Sequence, residues 1–335
     1  MSDTTEFETQ TSDTTLVSLI KLDAGEVANF LKTVNFGEFF TLVFTKDGVR
    51  VVSDDGIDEQ GNFYFLADFF DSFELKRPDV RVRVHSKKLI NAHQIFGQKT
   101  SYDLRWILES KDDDLSIMLR SDSLLAKQAV ATYELVQLQD TKEVEPEDTI
   151  VHVEFRDSNF LREIIQNLDN TASMVEFDFR TSKIMIKSTS TVHQKTSIRF
   201  CQENADKLQL ITLAEGGVRV FYRMDHIRHL VQFLKVTNRV SVLINEDGVL
   251  SLQGRLDTFA AVMYLQFFVN RFIPDEGEED PDEGRIKLRE MPQEVKQERD
   301  EDEVVVVNER LALRTTENPI ADPAIREFFD RIHLR

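Results

Sequence analysis

Disulfides, membrane-crossing runs and a nucleotide-binding loop are all missing from this sequence. Its 335 residues include one cysteine, Cys201, so no intramolecular disulfide framework exists and a reducing, intracellular setting is expected. Cys201 reads as an inert residue at a strand end rather than a nucleophile. No apolar run approaches the length of a bilayer span, and the opening segment Met1–Thr15, polar and acidic, has the composition of neither a signal nor a transit peptide. No membrane partner is therefore expected. A Gly-x-x-x-x-Gly-Lys loop is absent, which excludes phosphate binding by that route. Positive charge is scarce as well: the formal net charge is −19, and a surface of that sign repels phosphates on average.

The average conceals a strong asymmetry. Residues 274–303 hold 14 acidic and 5 basic side chains, and Met1–Thr15 adds a further −4. What lies between, from Leu16 to Ile273, carries only about −6, which leaves room for a local basic surface. The chain is long enough for two domains, and at 41% hydrophobic with 25 Phe it can fill two cores.

The pattern around Gly217–Ile273 supplies the organising unit. A strand, Val218–Tyr222, leads to a helix, Asp225–Val236, whose Ile227, Leu230, Val231 and Leu234 recur at i, i+3, i+4 and i+7. Two alternating segments then flank the turn Asn245-Glu246-Asp247-Gly248, a strong hairpin signal, and a long apolar run, Ala260–Ile273, follows. The same order recurs with helix caps expected at Asp23, Ser86, Asp157 and Asp225. The step from Asp23 to Ser86 in the first half nearly equals the step from Asp157 to Asp225 in the second, and the steps between halves, Asp23 to Asp157 and Ser86 to Asp225, match as closely. Repeats this long indicate domain duplication rather than a solenoid. The expected architecture is α+β: two tandem domains, each with two helices on one face of antiparallel sheets. Their limits are 16–138 and 150–273, after a disordered 1–15 and around a charged connector at 139–149 that contains Pro146. An acidic, mostly disordered tail, 274–335, completes the chain.

Four β-α-β-β-β units, the acidic connector and a final hydrophobic strand running into Pro-Asp-Glu (Phe267 to Glu276) resemble the sliding-clamp family that includes PCNA. Asp247-Gly248-Val249-Leu250-Ser251-Leu252-Gln253 and Leu22–Phe36 are most similar to the Rad-one type of subunit of the heterotrimeric DNA-damage checkpoint clamp. The resemblance covers about Leu16–Ile273; the tail, 274–335, is longer than it leads one to expect. It implies a nuclear, non-catalytic ring subunit. Its implied partners are two related clamp subunits, an ATP-driven clamp loader, duplex DNA read without sequence preference, and checkpoint and repair proteins. By the same analogy, unpaired terminal strands are expected at Leu115–Leu119 and Val175–Phe179, where neighbours would close the ring. In the family the helices line the hole. Here those helices carry Lys32, Lys87, Lys88, Arg162, Arg223, Arg228 and Lys235 on or beside their polar faces, placed to reach phosphates. Glu26, Glu163 and Asp225 share the helices, so the lining should be only moderately positive.

No cofactor, metal site or catalytic residue is expected. Members of the family have been proposed to have 3′ to 5′ exonuclease activity, so a metal-dependent nuclease is the alternative, along with an interaction scaffold that never encircles DNA. The candidate acids, Asp54, Asp55 and Asp58 and then Asp112, Asp113 and Asp114, fall in apparent turns, where solvated loop acids are the ordinary reading. His226 and His229 stand at i and i+3 but lack carboxylate or thiolate partners at useful spacing in the chain. Near the end of the tail, Asp322 to Phe329 resembles the clamp-binding peptide, with Ile325, Phe328 and Phe329 as three apolar prongs and Asp322 where that peptide has Gln.

Overall fold

The computed structural model describes residues 15–97, 101–122, 124–133, 148–181, 183–190, 195–201, 207–258 and 261–273. The body of the connector, 139–147, and the tail with Ile325, Phe328 and Phe329 lie outside the described residues. The first half runs β1 (Val17–Lys21), α1 (Val27–Thr33), β2 (Phe39–Thr45), β3 (Gly48–Asp54), β4 (Glu59–Leu66), β5 (Ser72–Leu75), β6 (Val80–His85), α2 (Ser86–Ala92), β7 (Asp103–Leu108), β8 (Leu115–Ser121), β9 (Leu124–Val130) and β10 (Thr132–Tyr133). The second runs β11 (Thr149–Phe155), α3 (Ser158–Gln166), β12 (Ala172–Arg180), β13 (Lys183–Ser190), β14 (Lys195–Cys201), β15 (Leu208–Leu213), β16 (Val218–Arg223), α4 (Met224–Val236), β17 (Arg239–Asn245), β18 (Leu250–Asp257) and β19 (Val262–Val269). The four β-α-β-β-β units expected from the repeat are all present.

No unit closes on itself. The leading strand of each pairs with the hairpin strands of the other unit in its half: β1 with β7, β6 with β2, β11 with β17, and β16 with β12. The swap fuses two units into one half and explains why the repeat is legible only in pairs. The halves then join strand to strand, β4 against β19, with Tyr64 opposite Tyr264 and Glu59 opposite Val269. One ten-stranded sheet therefore crosses both halves in the order β10-β6-β2-β3-β4-β19-β18-β17-β11-β15. Flanking it are a five-stranded sheet, β5-β1-β7-β8-β9, and a four-stranded sheet, β14-β13-β12-β16.

Two expectations are corrected by this topology. β8, which contains Leu115–Leu119, lies between β7 and β9, and β12, which contains Val175–Phe179, lies between β13 and β16. Among the described residues, the sheet margins nearest the expected strands are one or two hairpin strands further along, β9 in the first half and β14 in the second, at the ends opposite β5 and β16. The reason is local in each case, because a tight turn folds the next strand back onto the one expected at the edge. Leu124–Val130 forms the sheet margin in the first half, and the short β10 that follows it pairs with β6 instead.

Helix caps follow the same logic. Asp157 is the N-cap of α3, and its carboxylate accepts from the Asn159 N–H at 3.0 Å. Where a strand runs straight into a helix, no capping side chain is used. Ser86 is the first residue of α2, not its cap, and its buried hydroxyl donates to the carbonyls of Gly37 and Glu38. Asp225 lies inside the first turn of α4, whose N-cap is Arg223. Asp23 sits at a φ of 53°, ahead of α1, and accepts instead from the Ser101 hydroxyl.

The apolar faces of all four helices and the inner faces of the sheets merge into one core spanning both halves. Phenylalanine dominates its first-half part: Phe30, Phe63, Phe65, Phe69 and Phe70 form a chain of ring contacts 4.5 to 6.3 Å apart. Gly61 in β4 makes room at the seam, since a Cβ there would lie 2.8 Å from the Phe36 ring, which packs edge-on against Phe267 of β19.

One core residue carries a pH dependence. His93, 1% exposed, accepts from the indole N–H of Trp106 through Nε2 at 3.3 Å, so its single proton sits on Nδ1, facing the Tyr102 oxygen. Full burial pushes this imidazole from 6.5 down to about 3. Between those values the unfolded chain binds a proton that the folded one refuses. The stability that neutral His93 permits is thus complete above about pH 6.5 and is lost as pH falls toward 3, by about 1.4 kcal/mol per unit. In urea titrations from pH 7 to 5, His93→Gln is expected to lose less stability than wild type, the gap growing to about 2 kcal/mol. Parallel pH dependences would show that His93 titrates normally.

Candidate nucleic-acid interface and the seam between the halves

The four helices form a row. α2 packs against α1, α1 against α4, and α4 against α3, so the line crosses from one half to the other at α1 and α4. Each helix is held by a buried stripe, Val27, Phe30 and Leu31 in α1, Leu89 and Ile90 in α2, Leu161, Ile164 and Ile165 in α3, and Ile227, Leu230, Phe233 and Leu234 in α4. Burying such a side chain stabilises by about 1.5–3 kcal/mol, enough to fix the polar faces of short helices whose own propensity could not.

Those polar faces carry the expected cations, in three environments. Lys87, Lys88, Arg223 and Lys235 are exposed, and none of them has an acidic side-chain partner among the described residues. Arg223 lies over the Phe272 ring at 5.5 Å, which holds the guanidinium without neutralising it. Lys32 and Arg162 are half-buried. Arg228 is committed elsewhere: its guanidinium donates to Asp225 at 3.2 Å and to the Asn170 carbonyl, fastening α4 to the turn after α3. A further cation escaped the sequence reading. Lys207 is exposed and sits over the Phe160 ring of α3 at 5.0 Å, in a stretch with no periodic signal. Between the cations are Asn29, Asn91, Asn159, Gln166 and Gln232, all exposed, and the acids Glu26, Glu163 and Asp225. The row can meet a polyanion with a few charges and many amides.

At the seam the fold assembles groups that are far apart in sequence. The carboxylate of Glu59, 4% exposed, accepts from His229 Nδ1 at 2.9 Å, and Phe36 stacks on the His229 ring at 5.4 Å. One turn away along α4, His226 Nε2 lies 3.9 Å from Asp55. Asp55 organises the β3–β4 turn: its Oδ1 accepts from the backbone N–H groups of Ile57, Asp58 and Glu59. Partial burial acts to raise the pKa of Asp55, but those three N–H groups and nearby His226 outweigh it and hold the carboxyl below its ordinary value. Donor atoms of Asp55, Asp58 and His226 all lie within 4.8 Å of one another. The carboxylate partners that His226 and His229 lack along the chain are supplied across the seam, from the opposite half. Asp54 is absent from this group; it ends β3, paired with Gln60. Asp112, Asp113 and Asp114 form the exposed turn between β7 and β8.

Known proteins agree with this architecture. Among solved structures, the PCNA2–PCNA3 complex of Sulfolobus tokodaii superposes with a TM-score of 0.59 at 13% identity, covering 76% of this chain and 98% of the other. By sequence, the chain is 21% identical over 240 residues to the cell cycle checkpoint protein RAD1 of Mus musculus, covering 68% of this chain and 81% of the relative. It is 22% identical over 275 residues to the RAD1 homolog mrt-2 of Caenorhabditis elegans, covering 81% and 99%. The family described as repair protein Rad1/Rec1/Rad17 matches residues 18–255. With that match over most of its length and a clamp fold beneath it, this chain belongs to the Rad1 family of PCNA-like proteins.

Proposed function

We propose that the chain is a non-catalytic subunit of a heterotrimeric checkpoint clamp, a ring that encircles duplex DNA at damage sites and serves there as a platform for checkpoint and repair proteins. The observation that carries this reading is the row α2-α1-α4-α3, whose polar faces present Lys87, Lys88, Arg223 and Lys235 without acidic partners among the described residues. Such a surface attracts phosphates and reads no base, which suits a collar that must slide. The free edges β9 and β14 support closure of a ring, because unpaired backbone groups at a sheet edge accept a further strand, and head-to-tail pairing satisfies both edges at once. The relatives' names, checkpoint proteins in mouse and nematode, supply the pathway. An ATP-driven loader is the implied partner for opening the ring, and the nucleus is the implied compartment.

The tail fits the same function as a tethered competitor. Ile325, Phe328 and Phe329 follow Asp322-Pro323 at the spacing of one helical turn, and the stretch 274–319 separates them from the end of the clamp body. A flexible tether of that length would hold its end at a millimolar effective concentration, so even a weak peptide would compete with clamp-binding factors. Phe328→Ala with Phe329→Ala is expected to strengthen partner-peptide binding to the assembled clamp several-fold in fluorescence polarisation. Equal affinities, with no binding of the isolated tail peptide to any clamp, would remove this role.

A further inference from the structure

We infer that Asp55, Asp58 and His226 form a divalent transition-metal site that clips the two halves of the chain together. The three donors come from two places far apart in sequence, the β3–β4 turn of the first half and the first turn of α4 in the second, and they converge to within 4.8 Å. Ligands around one zinc or manganese ion, each about 2.0–2.2 Å from the metal, lie about 3 to 4.4 Å apart, so the observed spread needs only a small inward adjustment of side chains. Two carboxylate oxygens and one imidazole nitrogen form a mixed set that suits Zn²⁺ or Mn²⁺ better than the all-oxygen shells of Mg²⁺ or Ca²⁺.

Two independent features point to a missing ligand rather than to a self-sufficient cluster. First, His226 is polar and only 13% exposed, yet its ring makes no hydrogen bond among the described residues. Nδ1 is buried without a partner, and Nε2 stands 3.9 Å from Asp55, too far to donate. Its neighbour on the same helix, His229, does have a carboxylate hydrogen bond, at 2.9 Å to Glu59, so the geometry of α4 does not prevent one. Second, Asp55 and Asp58 face each other with like charge, and no lysine or arginine pairs with either among the described residues. Asp55 is preset as a ligand: Oδ1 is occupied by three backbone N–H groups, which locks the turn and leaves Oδ2 directed at His226. A cation between the three would be held by Nε2, the nitrogen that faces the acids, and by both carboxylates, with the ring proton kept on Nδ1 on the other side.

The location gives the site a purpose distinct from catalysis. Next to it Asn270 donates through its backbone to the Asp58 carbonyl at 2.8 Å and through its side chain to the Ile57 carbonyl at 3.0 Å, just past the end of β19. The β3–β4 turn is thus already pinned to the second half on one side, and a metal would pin it to α4 on the other. Occupancy would stiffen the joint that sets the angle between the halves.

The test uses the full chain, stripped with chelator and titrated with Zn²⁺ and separately with Mn²⁺ by calorimetry. One Zn²⁺ site is expected that His226→Gln and Asp58→Asn each weaken by about tenfold or more, whereas Cys201→Ser, which removes the softest competing donor, leaves it intact. Asp55 is left unaltered because it holds the turn. Saturating Zn²⁺ is expected to raise the wild-type melting temperature by about 3–5 °C and to leave both variants unmoved. Substoichiometric Mn²⁺ should broaden the His226 ring resonances before those of other histidines. Zinc affinity and melting shift unchanged in His226→Gln and Asp58→Asn, or no binding at millimolar metal, would overturn the site; neither result bears on whether the chain is a clamp subunit.

Discussion

Changing Lys87, Lys88, Arg223 and Lys235 together to Glu is expected to reduce retention of the assembled clamp on linear duplex DNA, where threading alone holds nothing, roughly a thousandfold near physiological salt. Each is exposed and lacks an acidic partner among the described residues, so each is free to displace a counterion from DNA. Removing four phosphate contacts should also make the dependence of log affinity on log salt shallower by about 3 to 4 units. The fold should not suffer, because none of the four side chains is buried. Arg228 provides the converse control. It lies on the same helix but spends its guanidinium on Asp225 and the Asn170 carbonyl. Arg228→Ala should therefore cost about 1 kcal/mol of stability, given its partial exposure, while leaving the salt slope nearly unchanged. A quadruple variant with wild-type retention and slope would place DNA on another surface.

The second large effect is on assembly. If β9 is the edge that a neighbouring subunit extends, a proline whose missing N–H faces outward should abolish that joint without unfolding the sheet. In an edge strand, consecutive N–H groups alternate between the paired neighbour and the open side. Lys127, opposite Met118, and Gln128, opposite Ile117, are adjacent in β9. One of Lys127→Pro and Gln128→Pro therefore breaks a bond to β8, and the other removes only an outward donor. The outward variant is expected to remain folded by circular dichroism and to drop out of the co-expressed 1:1:1 complex in sedimentation. Normal assembly by both variants would mean that β9 is not a closing edge.

Which parts of this were legible in the sequence depends on how local their cause is. Alternation in Val80-x-Val82-x-Val84 correctly puts the valines inside and leaves Arg81 and Arg83 partly exposed, because a strand's two faces are decided residue by residue. The hairpins at Lys46-Asp47-Gly48 and Asn245 to Gly248 were equally readable, since the positive-φ glycine that each turn requires is written in it. The caps failed at Ser86 and Asp225, where a strand passes directly into a helix and the serine or aspartate serves another purpose. The first-half edge was missed because Leu124–Val130 has no clear alternation, most of its residues lying at an open margin. Asp55, Asp58, His226 and His229 stand out in the sequence only as separate candidates, and nothing local joins the acids to the histidines or points to Glu59. These residues are brought together by β4 pairing with β19, a contact between the two halves that no local pattern encodes.

Topological retention is the most direct test of the central claim, that this chain closes a ring around DNA. The assembled complex, loaded with an ATP-driven loader onto closed circular duplex, is challenged by high salt and then by a single restriction cut. Encirclement predicts that complexes survive the salt on intact circles, where phosphate contacts are screened but the ring is still threaded, and are released within minutes once the DNA has an end. Loss in high salt from closed circles, or equal retention before and after cutting, would contradict it.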